Sequence, residues 1–306
     1  MIHRGNDPEK HVTIAMCYIS PEGIVLGADS TASVALPEGG FHYFNHAQKL
    51  FEIGSSGTLG LLTWGLGGLG SVSYRSLVAE LGDELVGAPA ATVEEVAQRW
   101  ASKVWSSYST ILAAEIARCQ SLNAKPAFAP PPLIVPNART EAEEQEFQQL
   151  YAGLVVGFCV AGYVPPSRSP IAFQMIFDPI AGAPAPMKCD GVAAFWGAPN
   201  MIQRLIFGVD PALRGSLISS GKWSGTDAEL DGILGQHQLS HAILPIRDAV
   251  DFVHACIYST IKALKFSSFA QICGGPIELA VITTDRPFRW VRHKLFDAAV
   301  SEGERS

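Results

Sequence analysis

The sequence is short of charge: only 17% of its 306 residues are Asp, Glu, Lys or Arg, and the formal net charge is −7. Its basic residues are scattered rather than gathered into a stripe, which leaves no electrostatic footprint for nucleic acid or an anionic membrane. Long apolar runs are also missing. The longest, Leu59 to Leu69, is too short and too rich in glycine to span a bilayer. The N-terminal "MIHRGNDPEKHV" is polar and lacks the apolar core of a secretory signal, so a cytoplasmic protein is expected. The six cysteines (Cys17, Cys119, Cys159, Cys189, Cys256, Cys273) form no C-x-x-C pair, and the eight histidines form no H-E-x-x-H. His237 and His241, four apart, have no carboxylate partner nearby. Neither a zinc knuckle nor a disulfide framework is indicated, and no metal or cofactor is expected. What is plentiful is apolar side chain, 48% of the residues, which suits a soluble globule with a large core or extensive intersubunit surface.

The order of elements follows from periodicity and punctuation. "TIAMCYI" (13–19), a turn at "SPEG" and "IVLGADS" read as a β-hairpin; "KLFEI" (49–53) and Thr58 to Trp64 follow as strands, so four strands precede any helix. Helical spacing runs from Leu69 to about Val86 and again from Thr92 to Cys119, with Thr92 as N-cap and Glu94 and Glu95 in the first turn. A proline-rich loop and the acidic, helix-forming "RTEAEEQEFQQL" then resemble a surface insertion at about 120–150. Strands are expected at Gly153 to Val160, Ile171 to Phe177 and Val192 to Trp196, and a helix at Met201 to Phe207. Residues 208–240 show no clear period. Pro245 to Leu264 gives the most regular helix, followed by strands at Glu278 to Thr284 and Arg289 to His293. Strands, two helices, strands, two helices, strands is a layered α+β order with antiparallel sheets, not a series of βαβ units.

That order bears on Gly65-x-Gly67-x-x-Gly70, which has the form of a dinucleotide fingerprint after a strand and before a helix. A fingerprint helix must lead into a second strand with an acidic residue at its end. Here the helix leads into another helix, and Glu80, Asp83 and Glu84 lie on or at the end of the first one. Nucleotide binding through these glycines is the remote reading.

The set "TIAMCYISPEGIVLGADSTAS", "KLFEIG" and "WGLGGLGSVSYRSLVAEL" resembles the first third of a proteasome β-type subunit, an N-terminal-nucleophile (Ntn) hydrolase, and "GGPIELAVITTD" resembles that family's late strand. Thr13 and Asp29 stand sixteen residues apart and Lys49 precedes Leu50-Phe51, as in the family, although the loop "VALPEGGFHYFNHAQ" is longer than usual. The resemblance is strong over 13–81 and weak over 120–245. It implies a four-layer αββα sandwich of two antiparallel sheets between helical layers, formed by residues 13–296, with 1–12 as a propeptide-like leader and 297–306 as a tail.

The resemblance also implies a threonine-type peptidase. Thr13, freed as the first residue, would be the nucleophile, and its own α-amine the base. Lys49, paired with Asp29, would favour the deprotonated forms of that hydroxyl and amine. The N–H of Gly65 would donate to the oxyanion. Ser33 lies where the family pairs its backbone with the substrate strand, implying peptide bound by strand addition. A peptide or unfolded-protein substrate and a homo-oligomeric ring or related assembly are the implied partners. No docking tail for an ATP-driven unfoldase is recognisable in "DAAVSEGERS". Four departures stand beside these matches. Val12 rather than glycine precedes Thr13; Ala198 stands where the family has serine; Cys273 replaces another serine, with no acidic residue between Asp251 and Glu278; and Pro276 replaces an ordinary strand residue. They define the alternative, a non-catalytic member of the same fold with a structural or binding role.

Overall fold

A computed structural model describes residues 13–35, 41–133, 135–239, 242–267 and 273–294. The expected leader and tail lie outside them. Two five-stranded antiparallel sheets face each other. One has the order β10-β1-β2-β11-β12, built from β1 (Ile14–Ser20), β2 (Gly23–Ala28), β10 (Ala193–Gly197), β11 (Glu278–Thr283) and β12 (Arg286–Arg292). The other has the order β5-β6-β7-β8-β9, from β5 (Leu50–Ile53), β6 (Leu59–Gly65), β7 (Val156–Gly162), β8 (Ile171–Phe177) and β9 (Met187–Lys188).

Side-chain alternation along each strand divides the core into three layers. Ile14, Met16 and Tyr18 of β1 point outward, where α8 (Ile246–Lys265) and α5 (Asn200–Phe207) cover them with Val253, Ile257 and Ile202. Ala15 and Cys17 point inward, against Leu62, Trp64 and Cys159 of the second sheet. The outer face of that second sheet packs Leu61, Phe158 and Phe177 under α1 (Tyr74–Gly87) and α2 (Val93–Ile111) through Leu77, Leu81, Trp100 and Val104. The result is the α+β, four-layer αββα arrangement that was expected. Because both faces of the inner strands are covered, "IAMCYI" (14–19) and "GIVLGA" run without the alternating polar residues of a half-exposed strand.

Across the central layer Trp64 stacks on Trp196 at 4.6 Å, and Trp196 Nε1 donates to Gln174 Oε1 at 2.7 Å, tying the two sheets together. Gly157 makes room for this: a Cβ there would lie 2.1 Å from the Trp64 ring.

Several boundaries differ from the sequence reading. A hairpin of β3 (Ala32–Ala35) and β4 (Phe41–Phe44) forms a separate two-stranded sheet, so six strands precede the first helix, not four. α1 starts at Tyr74 rather than Leu69, because Ser73 caps it by accepting from Ser76 N–H, while Leu69 and Val72 are joined by an isolated bridge. The long second helix ends at Ile111; Leu112 leaves helical geometry and α3 (Ala113–Asn123) begins after it. The expected Thr92 cap is present, accepting from Glu95 N–H. The strand expected from Gly153 begins at Val156, because α4 (Glu141–Leu154) runs to Leu154. The span 208–240, which shows no clear period in the sequence, carries α6 (Pro211–Ser219) and α7 (Asp227–Gly235) in its described part.

The segment expected to be a surface insertion is built into the core rather than laid on it. Phe147 and Leu154 of α4 are buried with Ile116 and Leu122 of α3. Arg139, 7% exposed, donates to Leu122 O and Lys125 O at the end of α3 and to Glu144 at 2.7 Å. Burial alone would raise the Glu144 carboxyl. Its bonds from Arg139, Gln148 and the Phe128 N–H outweigh that and hold it down at about 2.

Candidate active site

The β1–β2 hairpin sets the first part of the site. With Ser20 opposite Gly23 and Ala15 opposite Ala28, the register brings Asp29 back beside Ile14. Asp29 N–H donates to Ile14 O at 3.1 Å, and Ile14 N–H donates to Asp29 Oδ1 at 3.2 Å. The sixteen-residue spacing from Thr13 is thus the length of a hairpin with a two-residue turn.

Asp29 is fully buried, and both its oxygens are occupied. Oδ1 accepts from Lys49 Nζ at 2.6 Å as well as from Ile14; Oδ2 accepts from Thr31 N–H at 3.2 Å and Gly274 N–H at 2.9 Å. A carboxylate removed from water requires this degree of compensation. Lys49, 6% exposed, spends a second donor on Thr31 O at 2.7 Å, and its own carbonyl accepts from Thr63 N–H of β6.

Thr13 directly precedes β1 and is 4% exposed. Its carbonyl accepts from Ala198 N–H at 2.8 Å. Gly197, at φ +84°, permits the approach: a Cβ there would lie 1.6 Å from the Thr13 carbonyl oxygen. Among the described residues no hydrogen bond reaches the Thr13 hydroxyl. The fold therefore brings Thr13, Asp29 and Lys49 into one neighbourhood, with Asp29 bridging the lysine and the residue after the threonine.

Gly65 ends β6 on the facing sheet, next to Trp64. Its φ is +85°, and a Cβ would lie 2.4 Å from Val155 O, so β6–β7 packing demands glycine here whatever its chemical role. Gly67 is exposed, with nothing within 4 Å of an added Cβ. The corner leads from an antiparallel strand into α1 and then α2, not into a parallel βαβ unit. That removes the dinucleotide reading. Ser33 lies in β3, opposite Tyr43 of β4. One edge of β3 is therefore taken by its own hairpin, and among the described strands the other edge is unpaired.

At three of the departures noted in the sequence the backbone contributes to the site. Ala198 acts through its N–H, which needs no serine side chain. At Cys273 it is the next residue, Gly274, whose N–H holds Asp29. The Cys273 thiol is itself buried; burial, and after it the Asp29 charge, push its pKa up, so it remains a neutral core group. Pro276 contributes a carbonyl that accepts from Ser30 Oγ at 2.6 Å. The sequence marked Ala198 only as a departure and gave no sign of Gly274, because a backbone N–H leaves no mark in residue type. Among the described residues no group of three His, Cys, Asp or Glu could hold a metal, and no helix is long and apolar enough to cross a membrane.

No family model matches the chain, and no curated protein matches it. Solved structures do: one is a mutant of Anbu from Hyphomicrobium sp. strain MC1, 12% identical, with the alignment covering 96% of this chain and 95% of that one at a TM-score of 0.47. The architecture and the site stand on the strand order and contacts given above.

Proposed function

We propose that the chain is a threonine-type peptidase that hydrolyses peptide bonds with Thr13, freed as the first residue by removal of 1–12, inside a self-assembled oligomer. The observation that carries this reading is the buried Lys49–Asp29 pair bonded to the backbone of Ile14, immediately after Thr13. Threonine is a weak nucleophile until a base takes its proton, and a free α-amine with a pKa near 8 supplies one on the same residue. The Lys49 ammonium would hold positive charge close by and favour the unprotonated amine and the alkoxide formed during attack. The Gly65 N–H is the proposed oxyanion donor. Peptide would add along the open edge of β3 at Ser33. Large exposed apolar side chains, among them Val86, Tyr258 and Phe266, support burial of further surface between subunits.

A second reading has its own observation. Asp29 and Lys49 together hold Ile14, Thr31 and Gly274 in place. A non-catalytic protein of this fold with a structural or binding role would need the same bonds. Acetylating the α-amine of a chain that begins at Thr13 separates the two. Loss of hydrolysis of short fluorogenic peptides supports the peptidase. Equal turnover with a blocked amine contradicts it.

A further inference from the structure

A second buried ion pair lies next to the first, and the proposed mechanism does not use it. Glu278 opens β11 opposite Ala28, the residue before Asp29, and is completely buried. Neither of its carboxylate oxygens receives a well-aligned hydrogen bond from the described residues. Its charge is met instead by Lys294, with Nζ 3.4 Å from Oε1, and His293 Nδ1 lies 2.9 Å from the same oxygen. Lys294, its side chain 12% exposed, directs two donors elsewhere: to Ala47 O at 2.7 Å and His46 O at 3.0 Å. These carbonyls belong to the segment that carries Lys49.

We infer that Lys294, anchored by Glu278, is a positioning residue for Lys49, an inference that rests on the peptidase reading for its catalytic consequence. Ala47 is gripped at both ends, its N–H donating to Ser30 O at 3.0 Å and its carbonyl accepting from Lys294. Ser30 follows Asp29, so Lys294 fixes the lysine-bearing segment to the backbone beside that lysine's own partner. The flanking contacts are lateral: Thr31 Oγ1 donates to Asn45 Oδ1, and Gln48 donates to Leu50 O. Arg75 of α1 donates to Gln48 Oε1, and Lys294, among the described residues, reaches the segment from beyond the end of β12. Burial lowers the Lys294 pKa, Glu278 opposes that, and the nearby charges of Lys49 and Arg75 lower it further. The two ammoniums therefore feel each other across the segment, each held beside its own carboxylate. An uncharged residue at 294 would remove the grip and leave Glu278 buried with only His293.

The test compares Lys294→Met and Lys294→Arg with the parent chain, all beginning at Thr13, by amide hydrogen exchange over 45–49 and by kcat and KM on a short fluorogenic peptide. Lys294→Met should speed exchange in that segment about tenfold while β7 and β8 are unchanged, and lower kcat about tenfold with KM held within about twofold. Lys294→Arg, which keeps charge and donors, should restore both. Unchanged exchange over 45–49 overturns the inference, and so does faster exchange with an undiminished kcat. If the parent chain hydrolyses nothing, the peptidase reading and the catalytic half of this inference fail together, while exchange alone still decides whether Lys294 holds the segment. Should Lys294→Met not fold, Lys294→Gln is measured in its place, with the same outcomes deciding.

Discussion

Thr13→Ala in a chain that begins at residue 13 is expected to lose hydrolysis of short peptides by about a thousandfold or more, because the substitution removes the attacking oxygen itself. The fold should survive. What holds residue 13 is its carbonyl, bonded to Ala198 N–H, and the Ile14 N–H bonded to Asp29, and alanine keeps both. Serine at the same position retains hydroxyl and amine and should stay within about tenfold of threonine. Melting curves for the three chains distinguish lost chemistry from lost structure. Unchanged turnover by Thr13→Ala would remove Thr13 from the mechanism and leave the non-catalytic reading in its place.

The second large effect is on stability. Asp29→Ala deletes an acceptor that serves three backbone N–H groups and one ammonium, all in the interior. Leaving Lys49 buried without its carboxylate costs about 3–5 kcal/mol, and each orphaned N–H adds about 1–3 kcal/mol where water cannot reach it. Against a net stability of about 5–15 kcal/mol, that total is enough to unfold the chain or nearly so. Asparagine does not rescue it. Each Asp29 oxygen accepts from two donors, so placing an NH2 at either position sets donor against donor. Adding Lys49→Met to Asp29→Ala removes the stranded ammonium and should recover about 1–3 kcal/mol, a coupling that denaturant titration of the four proteins in the cycle measures. A loss below about 1 kcal/mol for Asp29→Ala would mean that the carboxylate is not the keystone its bonds imply.

What could be read from the sequence was what is local in it. The Thr13–Asp29 spacing is one hairpin, and turn residues with apolar flanks specify a hairpin without help from the rest of the chain. Thr92 and Pro245 marked helix starts for the same reason. Two further local signals lie between residues 208 and 240. Asp210-Pro211 and Thr226-x-x-Glu229 are helix-start patterns, and both proved to be, with Asp210 accepting from Ala212 and Leu213 N–H and Thr226 forming a capping box. The alternating residues on either side of Pro37–Gly40 likewise pointed to the β3–β4 hairpin. The contacts of Gly274, Ala198, Glu278 and Lys294 are not legible in this way. Their contacts with Asp29, Thr13 and the Lys49 segment join parts of the chain remote in sequence, and the first two act through backbone groups that every non-proline residue possesses. Gly65 illustrates the converse. A motif pattern first suggested a nucleotide, while the backbone conformation at β6 gives a packing reason for glycine that no motif encodes.

Under the peptidase mechanism Thr13 must become the first residue. Intact mass and N-terminal analysis of the purified, assembled protein should show a chain that starts at Thr13 and lacks residues 1–12; assembled material that retains Met1 or Ile2 would rule the mechanism out.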